Sequence, residues 1–458
     1  MNLATHLASA FIRWLRNAAR SRHHRERRKA VSARRLVPGG QILGGETSRR
    51  CETSMGRALS ACLSICLVAL AVASGLLSAP TAKAFGVVPA EPACAWGSRL
   101  SVGGGGRNLL FIDAAAAYWS TEIAVPPGSA IRLHGDFPHA RYMSLVAYDA
   151  RRRTIDHLAD TAIRPDPGSV NPFLPGASRY AGDRRFSIAI VDAAVPADKT
   201  ASNTLYARPS GQPREGGTVR FTLRVYQPDA GVAFDDIALP GIEIVDREGR
   251  THVVPPCAPA AVAADGERLG KMLGAFLASR FKTMKPLAWA IFTPDGLGEN
   301  IDNAYIYTAF DPQYGEVLAF DGRAPSVPAT YARAPVMGEG ELRYWSFCTS
   351  RMTTAVIDCA VDEFVPLDGH GNYLVAVTTP AKRPRNAVRE CGVAWLAAPS
   401  SGPGALVYRH MLPAPTFSRS IQSLGAAGNP AALGDYLPRG RYSSKAAFEA
   451  LGCPVVRP

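Results

Sequence analysis

Residues Arg141–Ile163 read RYMSLVAYDARRRTIDHLADTAI, and residues Arg343–Val365 read RYWSFCTSRMTTAVIDCAVDEFV. Aligned without a gap, they are identical at six of 23 positions: Arg141/Arg343, Tyr142/Tyr344, Ser144/Ser346, Ile155/Ile357, Asp156/Asp358 and Asp160/Asp362. The correspondence continues outward in the same order. Upstream, Ile112-Asp113 and Ile301-Asp302 each precede an aromatic five residues after the aspartate, Tyr118 and Tyr307. Downstream, RRFSIAIVDA around Phe186 answers GNYLVAVTTP around Tyr373, and Arg224 and Arg409 each stand four residues before a proline, Pro228 and Pro413. Blocks repeated in one order indicate a duplicated domain. A period of about two hundred residues is far longer than the stacked unit of a solenoid.

Each block reads as strand. Phe221, Leu223 and Val225 alternate with Thr222, Arg224 and Tyr226, the period of two of a half-buried strand. Arg141–Ile163 folds as a hairpin with Asp149–Arg153 as its polar turn. The same fold of the second copy sets Cys348 across from Cys359, where the first copy has Val146 and His157. Cross-strand cysteines come close enough for a disulfide. The fold class is therefore mostly β: two tandem antiparallel sandwiches, jelly-roll-like, from an internal duplication.

The formal charge of +13 is not spread over the chain. Residues 1–54 carry +9 and residues 55–84 carry +2, which leaves +2 for everything after residue 84. The body is nearly neutral, so its composition implies no nucleic-acid partner. An apolar run, LSACLSICLVALAVASGLL at 59–77, follows Arg57 and precedes Ala82-Lys83-Ala84. This reads as a secretory signal peptide, residues 55–84, matured after Ala84. The alternative is an uncleaved anchor, the only membrane association the sequence implies. Met55 stands where such a peptide starts, leaving residues 1–54 as a basic extension. The location expected is the periplasm or the exterior.

Six cysteines follow residue 84: Cys94, Cys257, Cys348, Cys359, Cys391 and Cys453. An even number in an exported chain reads as three disulfides, with about 15 connectivities open from spacing alone. The hairpin selects Cys348 with Cys359. Cys94 and Cys257 bracket the first sandwich, residues 85–260, leaving Cys391 with Cys453. Between the sandwiches, residues 261–298 are a helical connection: Leu269, Met272, Leu273, Phe276 and Leu277 share a helical face over Asp265–Met284, and Pro286 stops it. The second sandwich occupies 299–415. A tail, 416–458, carries helical patterns at Phe417–Ser423 and Ser443–Leu451, with Ser443 or Ser444 as cap.

Catalytic grammar is sparse. The histidines after residue 84 are His134, His139, His157, His252, His370 and His410, and none shows zinc-protease spacing. No Gly-x-Ser-x-Gly occurs. No metal and no cofactor are implied. Asp156/Asp160 and Asp358/Asp362 recur in both copies, and on a strand each pair is about 13 Å apart. A structural duty fits them better than acid–base work, such as turn capping or pairing with Arg141 and Arg343. The catalytic candidates are His139, Arg141 and Asp156. Candidate binding residues are Asp166, Asn171 and Phe173 in the long loop 164–185, with His370 in the Asp368-Gly-His370 turn.

The blocks ARYMSLVAYD, NTLYARPSG and AWLAAPSSGPGALVYR resemble bacterial exported proteins built from a pair of β-sandwich domains of unknown function. In that family the last block tends to read Asn-Trp-Leu-Pro-x-Pro-x-Gly-Pro, where Ala394 and Ala397 stand here for the Asn and the first Pro. The resemblance implies a fold and an envelope location, and it brings no catalytic residues. Two readings follow. One is a non-catalytic exported protein binding a small molecule, glycan or envelope partner through its loops or inter-domain groove. The other is a hydrolase or lyase with a site around His139, Arg141, Asp156 and residues 166–173.

Overall fold

The computed structural model describes residues 94–211, 217–257, 287–293 and 298–456. The signal segment, the basic extension and the Asp265–Met284 helix lie outside these residues. In the first half the strands are β1 (Ser98–Ser101), β2 (Ala116–Ala124), β3 (Ala130–Asp136), β4 (Ala140–Tyr148), β5 (Thr154–Ala159), β6 (Arg185–Val191), β7 (Thr204–Tyr206), β8 (Thr218–Pro228), β9 (Gly241–Val245) and β10 (Thr251–Val253). They form two sheets, β1-β2-β8-β4-β5 and β10-β9-β3-β6-β7. The second half repeats the plan with β11 (Ala290–Phe292), β12 (Asn303–Phe310), β13 (Val317–Arg323), β14 (Leu342–Arg351), β15 (Val356–Val361), β16 (Asn372–Thr378), β17 (Ala394–Ala397), β18 (Gly404–Pro413) and β19 (Arg439–Ser443). Its sheets are β11-β12-β18-β14-β15 and β17-β16-β13-β19. Each half is a sandwich because one apolar core takes side chains from both of its sheets. Met143, Leu145 and Leu223 meet Leu133, Ile188 and Ile242 in the first, and Phe347 and Leu406 meet Phe320 and Val375 in the second.

Several local readings are corrected. The pairings β6–β7 and β16–β17 are parallel, so one sheet of each half is mixed rather than antiparallel. Ala290–Phe292, in the stretch expected to be helical, is a strand paired with β12. In the tail, Phe417–Ser423 forms turns that run into a single 3-10 turn at Gln422–Leu424. Further on, β19 joins the second sandwich as an edge strand against β13. A short helix, α1 (Lys445–Glu449), follows, with the Ser444 hydroxyl accepting from Ala447 N. Among the described residues there are three disulfides: Cys94–Cys257, Cys348–Cys359 and Cys391–Cys453.

Strands β4, β8, β14 and β18 are buried along nearly their whole length, which a half-buried strand is not. Their sheets have a core on one side and the other half of the molecule on the opposite side. Across that seam, Tyr142, Tyr226 and Ala116 pack against Tyr344, Met411 and Val361.

Of the residues that the duplication preserves, Arg141/Arg343, Tyr142/Tyr344, Asp113/Asp302 and Asp160/Asp362 close the seam, each half using them on the other. Arg141 Nη1 donates to Asp362 Oδ1 at 2.7 Å, and its Nη2 lies 2.5 Å from Glu363 Oε2. Reciprocally, Arg343 Nη1 pairs with Asp160 Oδ2 at 3.3 Å. Tyr142 Oη donates to Asp302 at 2.7 Å, and Tyr344 Oη donates to Asp113 at 2.9 Å. Asp160 and Asp362 also accept from Met143 N and Trp345 N, each within its own hairpin. Asp156 and Asp358 do a different job inside each half: they accept from Tyr206 N and Ala397 N, tying β5 to β7 and β15 to β17. The structural reading of the aspartates therefore holds, but the arginine partners are exchanged between halves. This is the isologous pattern of a symmetric dimer, with i touching j and j touching i, built within one chain.

Burial raises the Asp160 carboxyl. Asp160 has no exposed side chain, and desolvation outweighs Arg343 to push it up to about 6. Unfolded aspartate loses its proton near about 3.9. Between these values the folded state holds a proton that the unfolded state has lost, so this contribution to stability falls as pH rises from about 4 to about 6, by up to about 3 kcal/mol. Urea unfolding at pH 4.5 and 6.5 checks the sign. Asp160→Asn is expected to remove much of the fall, and an unchanged pH slope would contradict it.

Candidate functional site

The residues singled out from the sequence are dispersed over separate networks. Arg141 is wholly buried in its seam ion pair, and its Nε donates to Thr330 Oγ1. Asp156 is held by Lys199 at 2.8 Å. His139 stacks on Tyr180, with ring centroids 5.2 Å apart, and its Nδ1 lies 2.8 Å from Arg184 Nη1. Burial and then Arg184 hold its imidazole below the ordinary range. No hydrogen bond or ion pair joins these three among the described residues. In the loop, Asp166 accepts from Ser187 Oγ. Asn171 is buried and donates to the Asp160 and Ile163 carbonyls. Phe173 is a core side chain whose carbonyl receives Arg343. His370 sits in an exposed turn capped by Asp368. Asp113, Cys348 and Cys359 are ligand types close together, but their sulfurs form a disulfide and the carboxylate is taken by Arg409.

The residues that stand out are ones that sequence reasoning treated as scaffold. A cavity of about 80 Å³ opens at the seam, lined by Tyr118, Tyr148 and Arg224 from the first half and Phe292, Tyr305 and Val407 from the second. Arg224 is 3% exposed. Its Nη2 donates to Tyr148 Oη at 2.5 Å and to the Gly298 carbonyl at 2.7 Å. The guanidinium lies 4.9 Å from the centre of the Tyr118 ring and 5.6 Å from that of Tyr148. Nε and Nη1 have no partner, and no carboxylate pairs with this arginine among the described residues. Cation–π contact offsets only part of the cost of a buried charge.

The cavity wall is strained as well. Leu110 and Phe111, both lining it, sit at φ 63° and 56°, a left-handed conformation that bulky side chains avoid. Each costs about 1–3 kcal/mol and persists only where the surroundings enforce it. Here Thr354 enforces it: its Oγ1 accepts from Leu110 N and its carbonyl from Phe111 N, both at 3.0 Å. Such strain concentrates where a structure must present side chains in one arrangement. A second, larger hollow of about 380 Å³ lies by Arg99, Phe234, Asp235, Tyr331 and Phe364, but there Arg99 is already paired with Asp235.

No family model matches this chain, and no curated protein does. Among solved structures it is similar to a putative uncharacterized protein from Burkholderia cenocepacia, at 13% identity and a TM-score of 0.48, covering 78% of this chain and 84% of that one. It is also similar to the VPA0106 protein from Vibrio parahaemolyticus, at 13% identity and a TM-score of 0.37, covering 72% of this chain and 90% of that one. Likenesses this distant carry no functional argument.

Proposed function

We propose that this is an exported, non-catalytic binding protein that takes a small molecule at the seam between its two sandwiches. The observation that carries the reading is the seam cavity, whose wall holds a buried arginine that no carboxylate pairs with among the described residues. Small-ligand sites are concave, largely apolar and often at domain interfaces, with a few polar groups that fix orientation. The aromatic and aliphatic lining supplies the first property, and Arg224 supplies the second. Its size suits a small molecule better than a glycan chain or a protein surface. Export fits the three disulfides, which persist in oxidising compartments, and the signal-like segment at 55–84.

The test is a thermal-shift screen of the purified protein, disulfides intact, against metabolites, glycans and divalent metals with and without chelator. A specific ligand raises the melting temperature by mass action. Ser120 lines the cavity, so Ser120→Phe puts a phenyl ring into that space and is expected to abolish the shift while leaving the circular dichroism unchanged. A shift that survives this substitution, or one that chelator removes, would overturn the seam reading.

A further inference from the structure

The duplication shows what an arginine at this position does when its work is structural. Arg224 on β8 stands opposite Ser144, and Arg409 on β18 stands opposite Ser346. Arg409 pairs with Asp113, which sits at the seam with Tyr344 and Ser346. The counterpart of Asp113 is Asp302, but Asp302 is taken by Tyr142 and lies 3.4 Å from His157 Nε2. His157 occupies the place that Cys359 holds in the other half. The carboxylate that would answer Arg224 thus has His157 beside it instead, and Arg224 faces Tyr148, where the second half has Ser350. The symmetry is broken at the cavity.

A second uncompensated group lines the same space. Glu299 Oε1 accepts from Thr154 N at 3.2 Å, while Oε2 is covered and has no partner. Arg224 and Glu299 form no ion pair with each other among the described residues. Arg152, an exposed side chain, is a second cation in the lining, while Arg224 and Glu299, a cation and a carboxylate held apart in the same cavity, are complementary to a molecule carrying both charges. Size narrows the class further. An engineered cavity of about 150 Å³ holds benzene, and this one is about 80 Å³, so the enclosed part of the ligand is no larger than glycine or alanine. The tyrosine rings around the site also favour an ammonium group, which cations over aromatic faces gain from.

We propose that the seam cavity binds a small α-amino acid as its zwitterion, Arg224 taking the carboxylate and Glu299 the ammonium group. The proposal rests on the seam as the binding site and adds the chemistry of the occupant. A buried arginine and a covered carboxylate oxygen without partners are costly, and one ligand of this kind satisfies both.

Isothermal titration at pH 7 with glycine and L-alanine, against propionate and methylamine as one-ended probes, tests it on the intact protein. The amino acids are expected to bind at least tenfold more tightly than either probe. Arg224→Gln and Glu299→Gln are each expected to lose at least tenfold, and Arg224→Lys to lose less than Arg224→Gln. The comparison of probes on the unmodified protein needs no variant, so a misfolded substitution does not leave the matter open. Propionate binding as tightly as L-alanine, with Glu299→Gln unaffected, would overturn the zwitterion and leave an anion site at the seam. A seam ligand from the screen alongside no heat from any amino acid would overturn this inference alone. No ligand sensitive to Ser120→Phe would overturn both.

Discussion

Replacing Arg141 by methionine is expected to cost about 3–5 kcal/mol at pH 7.5, because breaking a buried pair from one side leaves the other charge uncompensated. The arginine side chain is fully buried, and so is the Asp362 carboxyl that it faces across the seam. Methionine keeps most of the volume, so the loss reports the charge more than the packing. The cost is also expected to depend on pH. Burial already holds Asp362 above the ordinary range, with Arg141 opposing that shift. Without Arg141 the carboxyl moves further up and is neutralised as pH falls, so the penalty at pH 5 is smaller than at pH 7.5. Urea unfolding of both proteins at the two values checks the size and the trend. A loss below about 1 kcal/mol at pH 7.5 would show that the seam does not depend on its reciprocal ion pairs.

Asp113→Asn is expected to cost a similar amount, about 3–5 kcal/mol, but without that pH dependence. Asp113 accepts from Tyr344, Ser346 and Arg409, all buried. The group left behind is a guanidinium, which does not shed its proton in a protein. A stranded carboxylate escapes by protonation, and a stranded arginine does not. The same substitution at Asp302 is the internal control. Its partners are Tyr142 and His157 rather than an arginine, so about 1–2 kcal/mol is expected. Equal losses at the two positions would contradict the broken symmetry on which the Arg224 argument depends.

Much of the architecture was legible because a duplication constrains both copies at once. The paired hairpins, the Cys348–Cys359 register and the duplicated aspartates all follow from reading one stretch against another. What the spacing did not reveal was direction across space. Arg141 and Asp160 are near in sequence and look like partners, yet each binds the other's counterpart. No one-dimensional pattern separates a pair within a half from a pair exchanged between halves. Strand β19 was missed because Arg439–Ser443 is an edge strand with little apolar alternation, its residues exposed or half-buried. Arg224 was missed for the opposite reason. Its match to Arg409 marked it as scaffold, and its difference lies in its neighbours. The signal that was available is His157 in place of Cys359 and Tyr148 in place of Ser350, two exchanges beside an otherwise repeated arginine. Residues shared by both copies explain the frame, and a site has to be sought where one copy departs from the other.

The central claim is that the duplicated residues join two sandwiches into one cooperative body whose broken symmetry leaves the seam site. Native-state hydrogen exchange with increasing denaturant, followed by mass spectrometry on peptides from β4 and β14, tests it most directly. Both strands are expected to lose protection at one denaturant concentration and with one slope, since neither inner sheet is covered without the other half. Exchange of β14 while β4 stays protected, or the reverse, would mean that the halves open independently and would contradict the account.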